Sequence, residues 1–350
     1  MINQKIAREQ TKKFETTVVS TRMRLARNLD SYPFPSKMSE SQAKEVAVIV
    51  RNALEKLDGG WTEYDMLAVG TETGTLLKEL HLISPALVGK QGATAFVSPD
   101  RNVSVMVNEE DHLREQYILK GFEVNSAYER ICSLDDGIGR FLNFAYDERL
   151  GFLTACPSNV GTGLRASVMM FLPALEQCNA IEALVKKRRD CGLTVRGEFG
   201  EGTAAEGALY QISNDRTLGL SEEEILSCIK TATKEIAEAE EAERIKMVEK
   251  DGLRLRDECL RAYGTLSNCA KIEYREMRSL LTKVKLGVAL QFFEVADHDD
   301  PYVFDSFIEE MRPNPFCEKY ELFGADSISC DICRAEVLAE KLPQLIKRKI

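Results

Sequence analysis

Two arginines near the start of the chain could hold an anion. Arg22 and Arg24 follow a β-branched run, and because side chains alternate along an extended segment, both should point to one face. Neighbouring cations repel each other unless an anion lies between them, so the pair favours an anion site. The alternative is an exposed edge strand in which arginine serves only solubility.

A second stretch, residues 107–115, places three adjacent carboxylates ahead of Arg114: Glu109, Glu110 and Asp111. Carboxylates this close can raise one another's pKa or orient a basic substrate. Charged turns are common at protein surfaces, so the spacing alone leaves a solvated turn open as the alternative.

The third stretch is TACPSNVGTGLRASVM, residues 154–169. We predict that a helix begins at Arg165 after two glycines, so that backbone N–H groups and the guanidinium converge on phosphate. A helix start beside Cys156 could also lower the pKa of the thiol, although an inert buried thiol is the alternative. The glycines imitate a dinucleotide-binding fingerprint, but that interpretation lacks a convincing acidic residue at the end of the next predicted strand.

The fourth stretch, TVRGEFGEGTAAEG at residues 194–207, is predicted to be a strand that leads into a glycine-rich loop. Glycines let a backbone approach a ligand, and carboxylates beside Arg196 could serve a cation such as Mg²⁺. These carboxylates are Glu198, Glu201 and Glu206. A solvated loop without a ligand is the alternative.

Together the four stretches combine anion-binding guanidinium groups with loop carboxylates. The sequence contains neither a Walker GxxxxGK[ST] motif nor the HRD and DFG motifs of protein kinases. This combination favours phosphoryl transfer, in which a protein mainly positions the reactants and neutralises charge.

The composition is that of an acidic, soluble globular protein of 350 residues with a net charge of −10. The charge disfavours nucleic acid and anionic membranes as partners. No apolar run reaches the ~18 residues that a membrane span needs. Ten scattered cysteines and the lack of an apolar leader predict a cytoplasmic protein with reduced thiols.

Two kinds of element must position these residues. Short apolar runs, turns and helical stretches alternate over roughly the first 220 residues, which predicts an α/β or α+β domain. Within it, residues 39–57 are predicted as a helix behind a serine cap and residues 166–190 as a helical stretch. One or two long helices should follow, and a glycine in EKDG marks a boundary. We predict a catalytic domain at 1–250 and a helical domain at 251–350.

Four ordered blocks resemble those of the phosphagen kinases, the family that includes arginine and creatine kinases: STRMRLARN, NEEDHLR, CPSNVGTG, and RGEFGEGTAAEG with ISNDRTLGL. The resemblance spans roughly residues 15–245. The sequence is most similar to the bacterial branch that phosphorylates protein arginines, because only 19 residues precede the first block. The C-terminal segment with RAYGTLSNCAKI also has no counterpart in the small-guanidine kinases.

The resemblance implies an α+β fold with a large antiparallel β-sheet flanked by helices, followed by a helical C-terminal domain for dimerisation and phosphoarginine regulation. It implies ATP-dependent, Mg²⁺-assisted transfer of the γ-phosphoryl group to arginine side chains in proteins. Such an enzyme would be a cytoplasmic homodimer that marks proteins for degradation or tunes regulators. Its implied partners are protein substrates with exposed arginines, an activating adaptor and a protease unfoldase.

The resemblance also implies roles for individual residues. Glu110 and Glu201 would orient the acceptor guanidinium and accept its proton, with Cys156 close to the reacting nitrogen. The ATP-binding residues would be Ser20, Thr21, Arg22, Met23, Arg24, His81, Arg114, Arg165, Ala166, Ser167, Val168, Met169, Arg196, Gly197, Glu198, Phe199, Gly200 and Glu201.

One segment departs from the bacterial pattern. Those enzymes carry an RDxxRA motif that binds phosphoarginine, and here it reads Cys330-Asp331-Ile332-Cys333-Arg334-Ala335. Asp331 and Arg334 remain as the implied allosteric residues, but one guanidinium should bind phosphate more weakly than two. The change leaves open whether phosphoarginine still activates the enzyme. A metal site at this CxxC would need further ligands.

Two other functions stay open from the sequence: a kinase for free arginine or another small guanidine, and a non-catalytic adaptor that binds phosphoarginine. By chemistry alone, His81 is typical of a surface histidine. His298, in VADHDDPY, has too few companions for a metal site.

Overall fold

The computed structural model of the protein describes residues 14–57, 59–186, 192–197, 206–296 and 300–349. Its strands are β1 (Val18–Arg27), β2 (Thr62–Asp65), β3 (Thr94–Val97), β4 (Val103–Val107), β5 (Leu113–Lys120), β6 (Tyr146–Asp147), β7 (Gly151–Phe152), β8 (Leu164–Phe171), β9 (Leu193–Gly197), β10 (Leu209–Asn214), β11 (Phe293–Val295) and β12 (Ile346–Arg348). Eight of them form one sheet in the order β2-β3-β4-β5-β1-β8-β10-β9, with antiparallel neighbours throughout. This sheet confirms the predicted α+β class.

The helices are α1 (Glu40–Glu55), α2 (Gly70–Glu79), α3 (Val124–Gly139), α4 (Pro173–Gln177), α5 (Ile181–Lys186), α6 (Glu222–Leu266), α7 (Tyr274–Ala289), α8 (Val303–Glu310), α9 (Pro313–Lys319) and α10 (Ser327–Leu345). The predicted helix at 39–57 is confirmed as α1. It begins behind Ser39, and the side chains of Ser39 and Gln42 each accept a hydrogen bond from the other residue's backbone N–H.

The predicted helical stretch at 166–190 is wrong at its start, because residues 164–171 form β8. This strand pairs with β1 on one side and with β10 on the other. Most of its side chains are buried, and only Arg165 and Met169 are partly exposed. Helical structure begins only at Pro173, in α4.

Alternation gives the large sheet an apolar face and a polar face. The apolar face packs against α3 and the first half of α6, in a core that includes Met23, Leu25, Val168, Met170, Ile212, Ile131 and Ile229. Burying such side chains contributes about 1.5–3 kcal/mol each. The apolar face therefore supplies stability and leaves the opposite face available for charged groups.

A buried ion pair holds α6 against the sheet. Glu240, with no solvent exposure, accepts hydrogen bonds from the N–H groups of Ala174 (3.1 Å) and Leu175 (2.9 Å) at the start of α4. It also accepts one from Arg244 Nε at 2.8 Å. Arg244 in turn donates to the carbonyl oxygen of Phe171 at 3.0 Å. One carboxylate thus joins α6, α4 and the end of β8.

The C-terminal helices form a second core with the end of α6. It includes Cys259, Leu281, Phe293, Phe304, Phe316, Leu338 and Leu342. The dihedral angles of α6 depart from helical values at Asp251 (φ −140°), within the EKDG segment. The division into domains at residues 1–250 and 251–350 stays a prediction that this break favours. None of the helices within the described ranges is long and apolar enough to cross a membrane.

Replacing Glu240 by alanine should lower the free energy of unfolding by about 3–5 kcal/mol, because it leaves the Arg244 guanidinium buried without its partner. Urea unfolding followed by circular dichroism measures the change. Glu238→Ala is the matched control, since Glu238 is an exposed glutamate on the same helix. A loss for Glu240→Ala no larger than for the control would contradict the role of the pair.

Candidate active site

The strand register brings the five predicted arginines onto the polar face of the sheet. Arg24 on β1 lies directly opposite Arg165 on β8, and Arg114 on β5 lies opposite Ala26, which shares a face with Arg24. Arg22, two residues before Arg24 on β1, also points to this face. Arg196 on β9 reaches the same face through the pairs Arg196–Gln211 and Gln211–Met169. The predicted convergence of Arg22 and Arg24 on one face is confirmed.

The two β1 arginines lie in a field of like charge. Burial, and then the neighbouring guanidinium of Arg114, lowers the pKa of Arg22 to about 9. Burial also lowers the pKa of Arg24 well below its usual range, reinforced by Arg22, Arg114 and Arg165. The Nε atoms of Arg22 and Arg24 are buried and have no hydrogen-bond partner among the described residues. This part of the face is therefore short of negative charge, which suits it to hold an anion.

Glu109 offsets part of this positive charge. Its carboxylate accepts hydrogen bonds from Arg114 Nη1 and from Ser84 Oγ, both at 2.5 Å. Burial acts to raise the pKa of Glu109, but Arg114 and the two hydrogen bonds outweigh it and lower the pKa. Sequence reasoning did not separate Glu109 from its neighbours. It is a buried ion-pair partner, whereas Glu110 is exposed.

The turn that carries Glu110 is tied to the loop that carries Cys156. Asp111, next to Glu110, accepts a hydrogen bond from the N–H of Ala155 at 2.6 Å, and Ala155 precedes Cys156. Asp111 also accepts one from Asn28 Nδ2 at 2.7 Å, at the end of β1. The hydrogen bond between Asp111 and Ala155 therefore lies one residue from Glu110 and one residue from Cys156, two of the predicted catalytic residues. The sequence presents Asp111 only as one carboxylate of three and gives no local signal of this positioning role, because Ala155 is 44 residues away along the chain.

Cys156 lies in a half-buried loop that is held at both ends. Its Sγ is 3.1 Å from Ser158 Oγ. The Thr217 hydroxyl lies within hydrogen-bonding distance of the carbonyl oxygens of Ser158 (2.9 Å) and Val160 (2.7 Å). Gly161 follows with φ +112°, and a Cβ there would come within 2.3 Å of Thr217 O. The predicted helix start at Arg165 is wrong, because β8 lies there; a three-residue 3-10 helix, Pro157–Asn159, directly follows Cys156.

The remaining predicted nucleotide-binding residues divide between the two faces. Ser20, Ser167 and Met169 share the polar face with the arginines. The side chains of the others on β1 and β8 lie in the opposite core, fully buried: Thr21, Met23, Ala166 and Val168. Only their backbone could contact a ligand on the polar face. Gly197 ends β9, and the predicted Glu198, Phe199, Gly200 and Glu201 lie outside the described residues, as does His298.

His81 lies between the arginines and the C-terminal helices, with φ +58°. Burial, and then the positive charge of Arg312, lowers the pKa of His81 to about 3, with a smaller contribution from Arg22. The imidazole is therefore neutral at physiological pH. His81 and Arg22 both line a cleft of about 460 Å³ between the polar face and helices α8 and α9.

The implied allosteric residues form a pair within α10. Arg334 Nη1 lies 2.7 Å from Asp331 Oδ1, and the guanidinium is buried 5.1 Å from the centre of the Phe316 ring. The single guanidinium left in this motif is therefore already engaged by a carboxylate. Within the part of the chain that the structure describes, no group of three or more histidine, cysteine or acidic side chains could hold a metal ion.

Comparisons with known proteins agree with this geometry. The family model described as "ATP:guanido phosphotransferase, C-terminal catalytic domain" matches residues 45–243, and that described as "Protein-arginine kinase McsB C-terminal domain" matches residues 252–350. A protein-arginine kinase of Caldanaerobacter subterraneus subsp. tengcongensis is 38% identical over 330 residues, 93% of this chain and 96% of that protein. The chain belongs to the protein-arginine kinase family.

A further protein-arginine kinase and two solved kinase structures are also similar to this chain. The protein-arginine kinase of Brevibacillus brevis is 42% identical over 85% of this chain and 84% of its own. The crystal structure of lombricine kinase matches with a TM-score of 0.59 and 28% identity, over 65% of this chain and 67% of that one. A taurocyamine kinase from Schistosoma mansoni with bound transition-state-analogue components matches with a TM-score of 0.59 and 30% identity, over 66% of this chain and 34% of that one.

The His81 imidazole predicts a pH dependence of stability. Its pKa is about 3 in the folded protein and 6.5 without the fold. Between these values the unfolded chain binds a proton that the folded protein does not, so stability is retained above pH 6.5 and falls as the pH is lowered. From pH 7 to pH 5 the loss due to His81 should be on the order of 1–2 kcal/mol. Denaturant unfolding at both pH values should show a smaller loss for His81→Gln, and equal losses would contradict this.

Proposed function

We propose that this chain transfers the γ-phosphoryl group of ATP to arginine side chains in proteins. One observation carries the proposal: five arginines share one face of the sheet, and the turn that carries Glu110 is joined to the loop that carries Cys156 by the hydrogen bond from Ala155 to Asp111. Membership of the protein-arginine kinase family supports a guanidinium as the acceptor. We take the acceptor to be an arginine side chain of a protein, rather than the free amino acid, because the relatives are named protein-arginine kinases.

The charges indicate how the reaction would proceed. Arg22, Arg24 and Arg165 would hold the triphosphate. The bound triphosphate would supply the negative charge that this face of the sheet lacks. Because phosphoryl transfer spreads charge over the equatorial oxygens, these cations would stabilise the transition state as well as the bound nucleotide. Arg114 and Arg196, on the two sides, would complete the ring of positive charge.

The acceptor needs a different environment. A protonated guanidinium has a pKa above about 12 and no lone pair suited to attack. The exposed carboxylate of Glu110 would pair with it and take the Nη proton as the N–P bond forms and the bond from the γ-phosphorus to the bridging oxygen of ADP breaks. Glu201 would be its partner. Cys156 as a thiolate would tune the acceptor electrostatically, without a covalent intermediate.

We propose that Mg²⁺ enters bound to the nucleotide. Magnesium commonly retains several waters and binds through substrate phosphates with one or two carboxylates. On this face the phosphates would supply most of the oxygen ligands, because arginine side chains are cations without an acceptor and cannot coordinate a metal ion. When bound, the ion would neutralise charge on the phosphates.

Removing one β1 arginine should separate catalysis from folding. Arg24→Ala should lower turnover about 10²–10³-fold, the usual cost of one preorganised charge contact. Its folding stability should not fall, because Arg24 is repelled by three neighbouring cations. Steady-state kinetics and thermal unfolding test both statements. Arg140→Ala, at an exposed arginine after α3, is the control, and an Arg24→Ala enzyme with normal turnover would contradict the phosphate role.

Acceptor specificity tests the function itself. Incubation with ATP and Mg²⁺ should give an acid-labile phosphoryl label on an arginine-rich protein, and Glu110→Gln should reduce its formation about 10²–10⁴-fold. Glu129→Gln, at an exposed glutamate on α3, should label normally. Label on free arginine alone would favour a small-guanidine kinase. No label from the wild-type protein, with phosphoarginine binding retained, would favour the adaptor.

The cellular role stays a prediction of the family resemblance. Marking proteins for degradation, an activating adaptor, a protease unfoldase and assembly as a homodimer all belong to it. Phosphoarginine mapping by mass spectrometry, with and without this protein, would identify the substrates.

A further inference from the structure

The cleft of about 460 Å³ continues from the arginine cluster to the C-terminal segment. Its floor is the polar face of the sheet, formed by Val19, Ser20, Arg22, Ile118, Ser167, Met169 and Gln211. Its roof is formed by α8, α9 and the residue before α8: Tyr302, Asp305, Ser306, Glu309, Glu310, Pro315, Glu318 and Lys319. Arg22 lines it, whereas Arg24, Arg114, Arg165 and Arg196 do not. The cleft therefore begins at the phosphate-binding end and extends away from it.

The roof is close to electroneutral although it carries four carboxylates. Each already has a basic partner: Asp305 with Lys285, Glu309 with Arg312, Glu310 with Lys319 and Glu318 with Arg101. By contrast, the Nε atoms of Arg22 and Arg24 are buried with no hydrogen-bond partner among the described residues, and Glu109, the carboxylate that attracts both, is already paired with Arg114. Electrostatics would thus draw a triphosphate to the arginines and leave the far part of the cleft to an uncharged group.

The walls of this far part suit a planar base with a sugar. Val19, Ile118, Met169, Leu209 and Pro315 supply apolar surface, and the serine and amide side chains add a few polar groups. Ligand pockets are commonly built in this way, with mainly apolar walls and a small number of orienting polar groups. The volume is also in the range of small-molecule sites, roughly 300–1,000 Å³.

We propose that the nucleoside half of ATP occupies this cleft and that Glu309 on α8 accepts a hydrogen bond from it, so that the C-terminal segment forms part of the nucleotide site. The inference rests on the proposed function, since it assigns where the ATP of that reaction lies. It adds a contact from outside the segment matched by the catalytic-domain model, residues 45–243.

Glu309 is the roof residue best placed for this role. Its Oε2 lies 2.6 Å from Arg312 Nε, and its side chain lines the cleft on the wall that faces Arg22 and His81. It is close enough to His81 to influence that imidazole, which also lines the cleft. A carboxylate only accepts hydrogen bonds. The donors on adenosine are the ribose hydroxyls and the exocyclic amine.

Nucleotide binding measured by calorimetry on the full chain, without an acceptor, tests the proposal. Glu309→Gln should bind ATP–Mg²⁺ about tenfold more weakly, the effect of one hydrogen bond to a charged group. Glu340→Gln, at an exposed glutamate on α10, should bind like the wild type. In kinetics, Glu309→Gln should raise KM for ATP and leave kcat and KM for the acceptor unchanged.

Nucleotide analogues locate the donor. If a ribose hydroxyl bonds to Glu309, 2′-deoxy-ATP or 3′-deoxy-ATP should bind the wild type about tenfold more weakly than ATP, and Glu309→Gln should lose this preference. If the amine does so, inosine triphosphate should show the same pattern. Ser306→Phe, which fills the cleft from the same helix and keeps the ion pair, should also weaken ATP binding.

Two results would overturn the inference. One is unchanged ATP affinity in both Glu309→Gln and Ser306→Phe. The other is a Glu309→Gln enzyme that still discriminates among all the analogues as the wild type does. In either case wild-type binding and phosphorylation would remain, whereas a wild type that binds no ATP would contradict the proposed function instead.

Discussion

The repulsion among guanidinium groups on one face of the sheet is the constraint on which the rest of the structure depends. The register of β1 between β5 and β8 forces Arg24 to lie opposite Arg165 and close to Arg114. Like charges held this close oppose folding, and burial adds to the cost, as the lowered pKa values of Arg22 and Arg24 indicate. Such an arrangement persists because the other face of the same strands contributes a large apolar core.

The loops around the site also depend on other residues for their stability, as the polar face of the sheet depends on the apolar core. A carboxylate that must act on an incoming arginine has to be exposed, and an exposed turn has few apolar contacts of its own. Hydrogen bonds to buried polar groups take the place of these apolar contacts. Asp111 accepts hydrogen bonds from Ala155 and Asn28, and the Thr217 hydroxyl donates to the loop after Cys156. Because these anchors are buried, losing one partner would leave an unsatisfied polar group, which costs about 1–3 kcal/mol. Position is therefore fixed by residues that never touch a substrate.

Sequence reasoning succeeded where the pattern is local and failed where it depends on distant partners. Alternation in STRMRLAR was enough to place Arg22 and Arg24 on one face, and Ser39 was enough to start α1. The glycines before Arg165 predict a helix start, whereas residues 164–171 form a strand through pairing with β1 and β10, which are distant in sequence. Asp111 and Thr217 could not be recognised as anchors, because their partners lie 44 and 57–59 residues away along the chain. The predicted roles of the site residues remain predictions, and those at 198–201 lie outside the described residues.

The C-terminal segment contacts the sheet through exposed ion pairs at the rim of the cleft and through an apolar cluster. Arg101 pairs with both carboxylate oxygens of Glu318 at 2.8 Å, and Lys120 pairs with Asp300 at 2.7 Å. Exposed ion pairs of this kind contribute little each, about 0–1 kcal/mol. An apolar cluster also joins the two parts, because Phe171, Ala208 and Leu209 pack against Leu286 and Ala289 of α7. The apolar cluster fixes one side of this contact, whereas the rim of the cleft is held by weak, salt-sensitive ion pairs. A ligand that touches both walls of the cleft makes contacts comparable in strength to these ion pairs, so its binding can favour one relative position of the walls at the rim.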